Sequence, residues 1–462
     1  MKRALKLLGK IVLVLVAIPV VFYLFLVLYN LRDDALDPEL EKLLASAPPQ
    51  IDPATNGYFA WLGVVGPADQ DPHAWGRRWY AEALEADKKA VADLNTSITL
   101  AIEAEKRKSD LKTTDIPCAA KIETCLEAVA AKPEDARAAL EKGKVVLERG
   151  DAALAYPAYQ EAWRPDAALM SPIPSYTNFY RQLSAPRFAL AVAEGRHDQA
   201  LEQLGREMAF HTRQMQGAVS LIEKMVAIAS LRNNYQLLSQ YLLAYPAEAK
   251  IRAERLAALF APLPTDALRL QPTLLNEQRI SARLILSLKG VDDAMFFGSA
   301  ESDGKSDALV LAWALGHLGR PLLLANATAN EYVGYQRALI AADALTGAAY
   351  RDMLAKAKAE TAAAGETTYS LRNPIGHLLN GVALPNYSAY YLKRDDLAML
   401  QAALALQLDL LRRDADDPSI GQAVTALIHP YTGVAPAWDG AKRTLTFPAL
   451  PERQNKPLTL HF

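Results

Sequence analysis

The feature that most constrains this 462-residue chain is an uncharged run of 21 residues, 11–31, in which only Asn30 is strongly polar. As a helix rising about 1.5 Å per residue it spans roughly 30 Å, the thickness of a bilayer's hydrocarbon core. Pro19 falls inside it, which a membrane helix tolerates with a mild kink. Tyr29 suits the outer interface, and Tyr23 suits that interface or lipid. Lys2, Arg3, Lys6 and Lys10 precede the run, whereas Arg32, Asp33, Asp34, Asp37, Glu39 and Glu41 follow it. Positive charge on the N-terminal side predicts a cytoplasmic tail at 1–10, with the rest of the chain across the bilayer. In a Gram-negative bacterium, which the Ala-rich helical style suggests, that side of the inner membrane is the periplasm. The competing reading is a cleaved signal peptide, whose apolar region runs about 7–15 residues and ends at a small-x-small site. Here the run is longer, and Ala45-Ser46-Ala47 lies too far downstream, beyond an acidic stretch.

Composition bounds the remainder. At 51% hydrophobic and 22% charged the chain is too apolar to be disordered and long enough for a sizeable core. The formal charge is −2, and without the first ten residues 46 Lys and Arg face 52 Asp and Glu, or −6. A slightly acidic body with no basic tract argues against nucleic acid as a partner.

Cys118 and Cys125 are the two cysteines of the chain. In an oxidising compartment such a pair predicts a disulfide. Seven residues of regular helix separate Cα atoms by about 10.5 Å, whereas a disulfide needs less than about 7 Å. Cys118, following Pro117, is therefore expected to end a loop just before a helix, with Cys125 in that helix's second turn. Closing so short a loop is worth about 2.5 kcal/mol in the chain-entropy model. The alternative, a redox or metal pair, lacks CxxC spacing and flanking His ligands.

Between the run and residue 430 the text is nearly all helical. Asp37-Pro38 opens a short helix to Ala45, and Pro48-Pro49 stops it. The aromatic segment 56–63 is too short and Gly-bounded to assign. Asp71-Pro72 starts a long helix through Trp75, Trp79 and Leu84 towards Lys108. Further helices are expected at 119–131, 134–149, 176–183, 187–194 and 198–216, bounded by Pro or Gly at most ends. Leu221, Met225, Ile228, Leu231, Tyr235, Leu238, Leu242 and Tyr245 form one apolar stripe of a long helix, and Leu397, Leu400, Leu404, Leu408 and Leu411 form another. The polar loop 298–307 divides two lobes, 71–297 and 308–430, after a linker and short helix at 32–70. Beyond 430, Asp439-Gly440 and the alternation that follows predict a small β-hairpin closing the chain at 431–462. The fold class is all-α: an N-terminal transmembrane helix, then an irregular α-helical superhelical domain with that hairpin.

The chemistry of a recognisable enzyme is missing from the sequence. His73, His197, His211, His317, His377, His429 and His461 are scattered, with no HExxH, Walker loop, GxSxG or GxGxxG. Glu301-Ser302 matches the Glu-Ser pair of lytic transglycosylases, but it sits in a loop-like Ala-Glu-Ser-Asp-Gly and lacks their downstream pattern. No catalytic residue, cofactor or metal ligand is assigned. Tyr58, Phe59, Trp61, Trp75 and Trp79 are candidate contact aromatics, for which core packing is the simpler reading.

Arg187 to Met208, with Ala200 at the crossing of two helices, resembles one tetratricopeptide unit. The segment 56–63, Asp71-Pro72, the Cys pair, Leu221 to Met225, His429-Pro430-Tyr431-Thr432-Gly433 and Trp438-Asp439 together resemble uncharacterised, membrane-anchored, mostly helical periplasmic proteins of Proteobacteria. In those proteins an Asp commonly precedes the Pro-Tyr-x-Gly turn, where His429 stands here. The resemblance implies topology and no activity. The expected role is that of a tethered interaction or assembly protein, bound to inner-membrane lipid through 11–31 and holding a protein partner in the cell envelope. The alternative is a cell-envelope hydrolase or lyase of the peptidoglycan type, with an unrecognised site.

Overall fold

The computed structural model describes residues 2–92, 115–118, 121–163, 173–288, 318–366, 370–383 and 387–462. Helix α1 (Lys2–Tyr29) is followed by α2 (Pro38–Ala45), whose N-cap Asp37 accepts from the Glu39 amide at 2.8 Å. Helix α3 (Gly57–Leu62) is capped by Asn56 and buries all six of its residues. A helix surrounded on every side carries no amphipathic stripe, which is why the segment could not be assigned from its pattern. Helix α4 (Pro72–Ala92) starts at Asp71, which accepts from the Ala74 amide. It lies so close to α3 that a Cβ at Gly76 would fall 1.9 Å from the Phe59 carbonyl oxygen. Its expected continuation to Lys108 lies outside the described residues.

Cys118 and Cys125 are bonded, with Cα atoms 4.9 Å apart. Helix α5 (Cys125–Ala131) begins at Cys125 itself, after a 3-10 turn at Ile122–Thr124, so this cysteine opens the helix rather than occupying its second turn. The expected helix 134–149 is two helices, α6 (Pro133–Lys142) and α7 (Lys144–Leu154), broken at Gly143 where the Leu183 side chain packs against the backbone. Conversely, α8 (Ile173–Ala193) runs unbroken through Pro186, joining two segments expected to be separate. Leu183, Ala185, Phe188 and Ala189, buried around the proline, supply the packing that outweighs its missing N–H.

Helices α9 (His197–Gly217) and α10 (Leu221–Ala244) follow. The α8–α9 turn closes through Gly195 at φ +74°, and Ala200 is buried where the sequence predicts a crossing. The α10 stripe is borne out: Leu221, Ile228, Leu231, Tyr235, Leu238 and Leu242 are buried, with Met225 and Tyr245 partly so. Short helices α11 (Pro246–Ile251), α12 (Ala253–Leu259) and α13 (Thr265–Leu268) lead to α14 (Gln271–Ser287). Then come α15 (Ala325–Ala342), α16 (Gly347–Glu366), α17 (Pro374–Ala383), α18 (Ser388–Arg412) and α19 (Asp417–Val424). The loop 298–307, with Glu301, lies outside the described residues. Helices on either side of it share a core, with Leu221 and Leu274 packed with Leu339, Tyr350 and Tyr391.

The C-terminal unit is a three-stranded antiparallel sheet rather than a hairpin: β1 (Ala437–Asp439), β2 (Thr444–Leu450) and β3 (Lys456–His461), in that order. Leu445 pairs with Leu460 and Phe447 with Leu458, and these four turn one apolar face onto the largest core cluster, which includes Leu400, Leu404 and Leu408 of α18. The register shifts between Phe447 and Leu450, around Pro448, which has no N–H for the ladder. Among the described residues no helix is long and apolar enough to cross a membrane.

Candidate functional site

Three polar assemblies hold the helices together, the first where α9 turns into α10. Residues 156–163 pass between α3 and this corner. The Gly57 amide donates to the Ala158 carbonyl at 2.9 Å, and the Asn56 side chain brackets Gln160, donating to its carbonyl and accepting from its amide. Only glycine fits at 217, where a Cβ would meet the Tyr159 carbonyl oxygen at 2.0 Å. Glu161 accepts from the Val219 amide (2.7 Å), the Ser220 amide (2.6 Å) and the Ser220 hydroxyl (2.6 Å). Glu223 accepts from the Tyr159 hydroxyl and from Gln214 Nε2 at 2.7 Å, and Gln214 Oε1 lies 2.8 Å from His211 Nδ1.

Burial governs the charge of this corner. It pushes Glu161 up against the pull of its three donors. Burial, with the Glu161 charge adding to it, raises Glu223 to about 8. Burial lowers His211 to about 4 and Lys224 to about 7. A carboxyl held protonated near neutrality is what a general acid needs. Here Glu161 is spent on the backbone and hydroxyl of the corner, and Glu223 holds Tyr159 and Gln214 through Oε1 alone, its Oε2 buried without a protein partner. Neither lines the groove between α10 and α18, the hollow of about 660 Å³ beside residues 115–117, or the small cleft at Tyr335.

The linkage has a definite sign. A carboxyl with a folded pKa near 8 and an ordinary value of 4.5 stabilises the fold fully below pH 4.5 and progressively less up to pH 8. Glu223→Gln keeps the acceptor for Tyr159 and Gln214 and removes the titration. Its stability is expected to match the parent at pH 4.5 and exceed it at pH 8, by about 4 kcal/mol. Urea midpoints across that range test this; an unchanged pH slope in the variant would exclude Glu223 as its source.

The second assembly ties α18 to the C-terminal sheet. His429, fully buried, sits with Nε2 2.9 Å from Asp396 Oδ1, and its Nδ1 accepts from the Tyr431 amide at 3.2 Å. That assignment leaves the proton on Nε2, facing Asp396. Arg453 donates to both Asp396 oxygens at 2.7 Å. One residue back, Asp395 accepts from Tyr350 and Arg394, and Arg394 also reaches Asp343, whose oxygens accept from the Leu270 and Gln271 amides at the start of α14. These are inward-facing structural pairings.

The third assembly joins α1 to the domain. Asn30, 2% exposed, donates to the Leu371 carbonyl (2.8 Å) and accepts from the Asn373 amide (2.7 Å). Asn373, at φ +52°, passes the connection on by accepting from the Leu324 amide and donating to Thr328. Asp33 accepts from the Asn326 and Ala327 amides, placing a carboxylate at the N-terminus of α15, where the helix dipole favours it. Arg372 donates to the Tyr29 and Arg32 carbonyls and to Asp34 at 2.6 Å. Asn330 exchanges bonds with the Ala35 carbonyl and the Asp37 amide, and Arg337 pairs with Asp37. Leu40 is then buried against Ala282, Ala329, Tyr332 and Val333. Residues 30–46 are thus laid down along α14 and α15 and do not form a free linker.

The sequence-selected residues fall elsewhere. Tyr58, Phe59, Trp61, Trp75 and Trp79 are at most 4% exposed and belong to one aromatic core. Trp438 packs edge-on against Phe462. Among the described residues no group of His, Cys, Asp or Glu has the arrangement to hold a metal. A groove of about 390 Å³ opens between the C-terminal ends of α10 and α18, lined by Leu242, Leu243, Gln407, Leu411, Arg443 and Phe462. The sequence does not single out Asn30, Asp33 and Arg372 as a junction; the acidic run after residue 31 is the one local signal of it, and that run also fits a simple charge flank. No family model matches this chain, and no curated protein or solved structure is significantly similar to it.

Proposed function

We propose that this protein is a membrane-tethered scaffold of the bacterial cell envelope, its helical domain carried on the periplasmic face of the inner membrane to hold a protein partner there. The observation that carries the reading is the built junction at residues 30–37. A chain that merely needed a leash would leave α1 through a free linker. Here Asn30, Asp33, Asp34 and Asp37 each find a partner in the domain. The rod below that junction supports the same reading. Leu13, Leu15, Val21 and Leu28 are between 65 and 68% exposed, an apolar surface that in water would need a cover and that lipid accommodates.

The hydrolase alternative draws on a carboxyl held protonated near neutrality in an open site; Glu223 is such a carboxyl, but it is fully buried, lines none of the three cavities described and holds Tyr159 and Gln214 through Oε1. Two measurements test the scaffold reading. A reporter that works only in the periplasm, fused to the C-terminus, is expected to be active, and a silent fusion would overturn the orientation. Affinity purification from gently solubilised membranes is expected to recover a stoichiometric envelope protein. Recovery of the chain alone from several detergents would overturn the partner.

A further inference from the structure

The domain does more than hang from the end of α1. Tyr23, Leu26 and Val27 are half-buried and Asn30 is buried, an i, i+3, i+4, i+7 face against which the domain packs along the last two turns of the helix. On that face the Tyr23 hydroxyl donates to the Leu318 carbonyl at 3.2 Å. Tyr23 lies eight residues before Leu31, where the apolar run ends, so residue 318 reaches about 12 Å back along the rod. The N-terminal end of α17 is fastened to the same place through Asn30 to Leu371 and Arg372 to Tyr29.

The inner face of α17 fixes its rotation. A Cβ at Gly376 would fall 2.1 Å from Thr328 Oγ1, Asn380 donates to the Thr328 carbonyl, and His377 lies 3.2 Å from Glu331. What that rotation turns outward is apolar. Leu378 and Val382 are 46 and 81% exposed, on one helical stripe with half-buried Ile375 at spacings of 3 and 4, and Leu371, 51% exposed, lies just before the helix, across the turn at Asn373. Leu318, 50% exposed, adds to it. The helix itself carries no Lys, Arg, Asp or Glu.

We propose that the stripe Ile375–Leu378–Val382, with Leu371 and Leu318, is a membrane-seating face that lies in the headgroup–acyl boundary of the leaflet from which α1 emerges. This rests on the reading of α1 as a membrane span. The occupant is phospholipid because Leu318 is bonded to Tyr23 inside the apolar run and the neighbouring Gly319 packs beside Ile375 of the stripe, so the face adjoins the rod that this reading places in lipid, at a depth comparable with the roughly 5–10 Å to which interfacial helices sink. A protein partner would have to reach this face through the bilayer surface.

Full-length protein in nanodiscs of phosphatidylethanolamine and phosphatidylglycerol, with and without brominated acyl chains, tests the seat. Tryptophan is introduced singly as Val382→Trp, Leu378→Trp, Leu15→Trp in α1, and Ile251→Trp as an exposed reference on α11. The readout is the emission added over the parent, in variants whose melting matches it. Val382→Trp and Leu378→Trp are expected to emit to the blue of Ile251→Trp and to lose roughly half of the added emission to bromine, as burial to the acyl boundary requires. Quenching of Leu15→Trp alone would overturn the seat and leave the anchor standing. No quenching at any position would overturn the anchor. A blue shift at 378 and 382 without quenching would mean that protein, or a second copy, covers the face, and would also overturn the seat.

Discussion

Trp61→Ala is expected to lower the unfolding free energy by about 4 kcal/mol, read as the shift in guanidinium midpoint of the purified full-length protein. Trp61 is fully buried in α3. Its ring centroid lies 4.8 Å from that of Phe210, 5.3 Å from Tyr180 and 6.0 Å from His211. Truncation opens a cavity among rings from α8 and α9 that cannot collapse onto each other, since each is held by further contacts. It also removes the indole N–H that donates to Thr177 at 2.9 Å. Trp61→Phe, which fills part of the space, is expected to lose about half as much. A loss below about 1 kcal/mol for the alanine variant would mean that α3 is not a core element.

Asp396→Ala is expected to cost a further 3–5 kcal/mol class of loss, by a different mechanism. The alanine leaves the Arg453 guanidinium, 10% exposed in its side chain, and the buried His429 ring facing a void. Removing one partner of a buried ion pair costs more than the pair contributes, because the surviving charge stays desolvated. Burial works to raise the Asp396 carboxyl, but the hydrogen bonds from Arg453 and His429 outweigh it and hold the group below its usual range. The stability it supplies is therefore present above its ordinary value of 3.8 and lost as the pH falls through the lowered one. Asp396→Asn keeps the shape and loses the charge. It is expected to abolish that acid-side slope while retaining part of the stability, which separates the electrostatic effect from packing. Thermal melts between pH 2 and 7 read both; a variant as stable as the parent at pH 7 would remove Asp396 from the account.

What was legible in the sequence follows from what a local pattern can carry. The stripe of α10 and the leucines of α18 were readable because each helix buries a side against neighbours and the periodicity records it. The cysteine pair was readable because seven residues cannot both be helical and bonded. Helix α3 was not, because all-round burial erases the period. Nor was the run of α8 through Pro186, where a local breaker yields to tertiary packing. His429 stood out only as a departure from a resembled turn. Its carboxylate comes from α18, 33 residues away, and its arginine from beyond β2, so no spacing rule connects them. The junction at Asn30 was hidden for the same reason on a larger scale, and the C-terminal alternation showed strands without showing that β2 pairs on both edges, with β1 and with β3.

That scale sets an order of events during synthesis. Asn30 waits for Leu371 and Asn373, 341 and 343 residues further on, and Asp33 for Asn326, 293 further on. At ribosomal speeds of about 5–20 residues per second, the collar around the helix end stays open for tens of seconds after Asn30 is made. Chains halted before residue 326 present bare amide and carboxylate groups at that end.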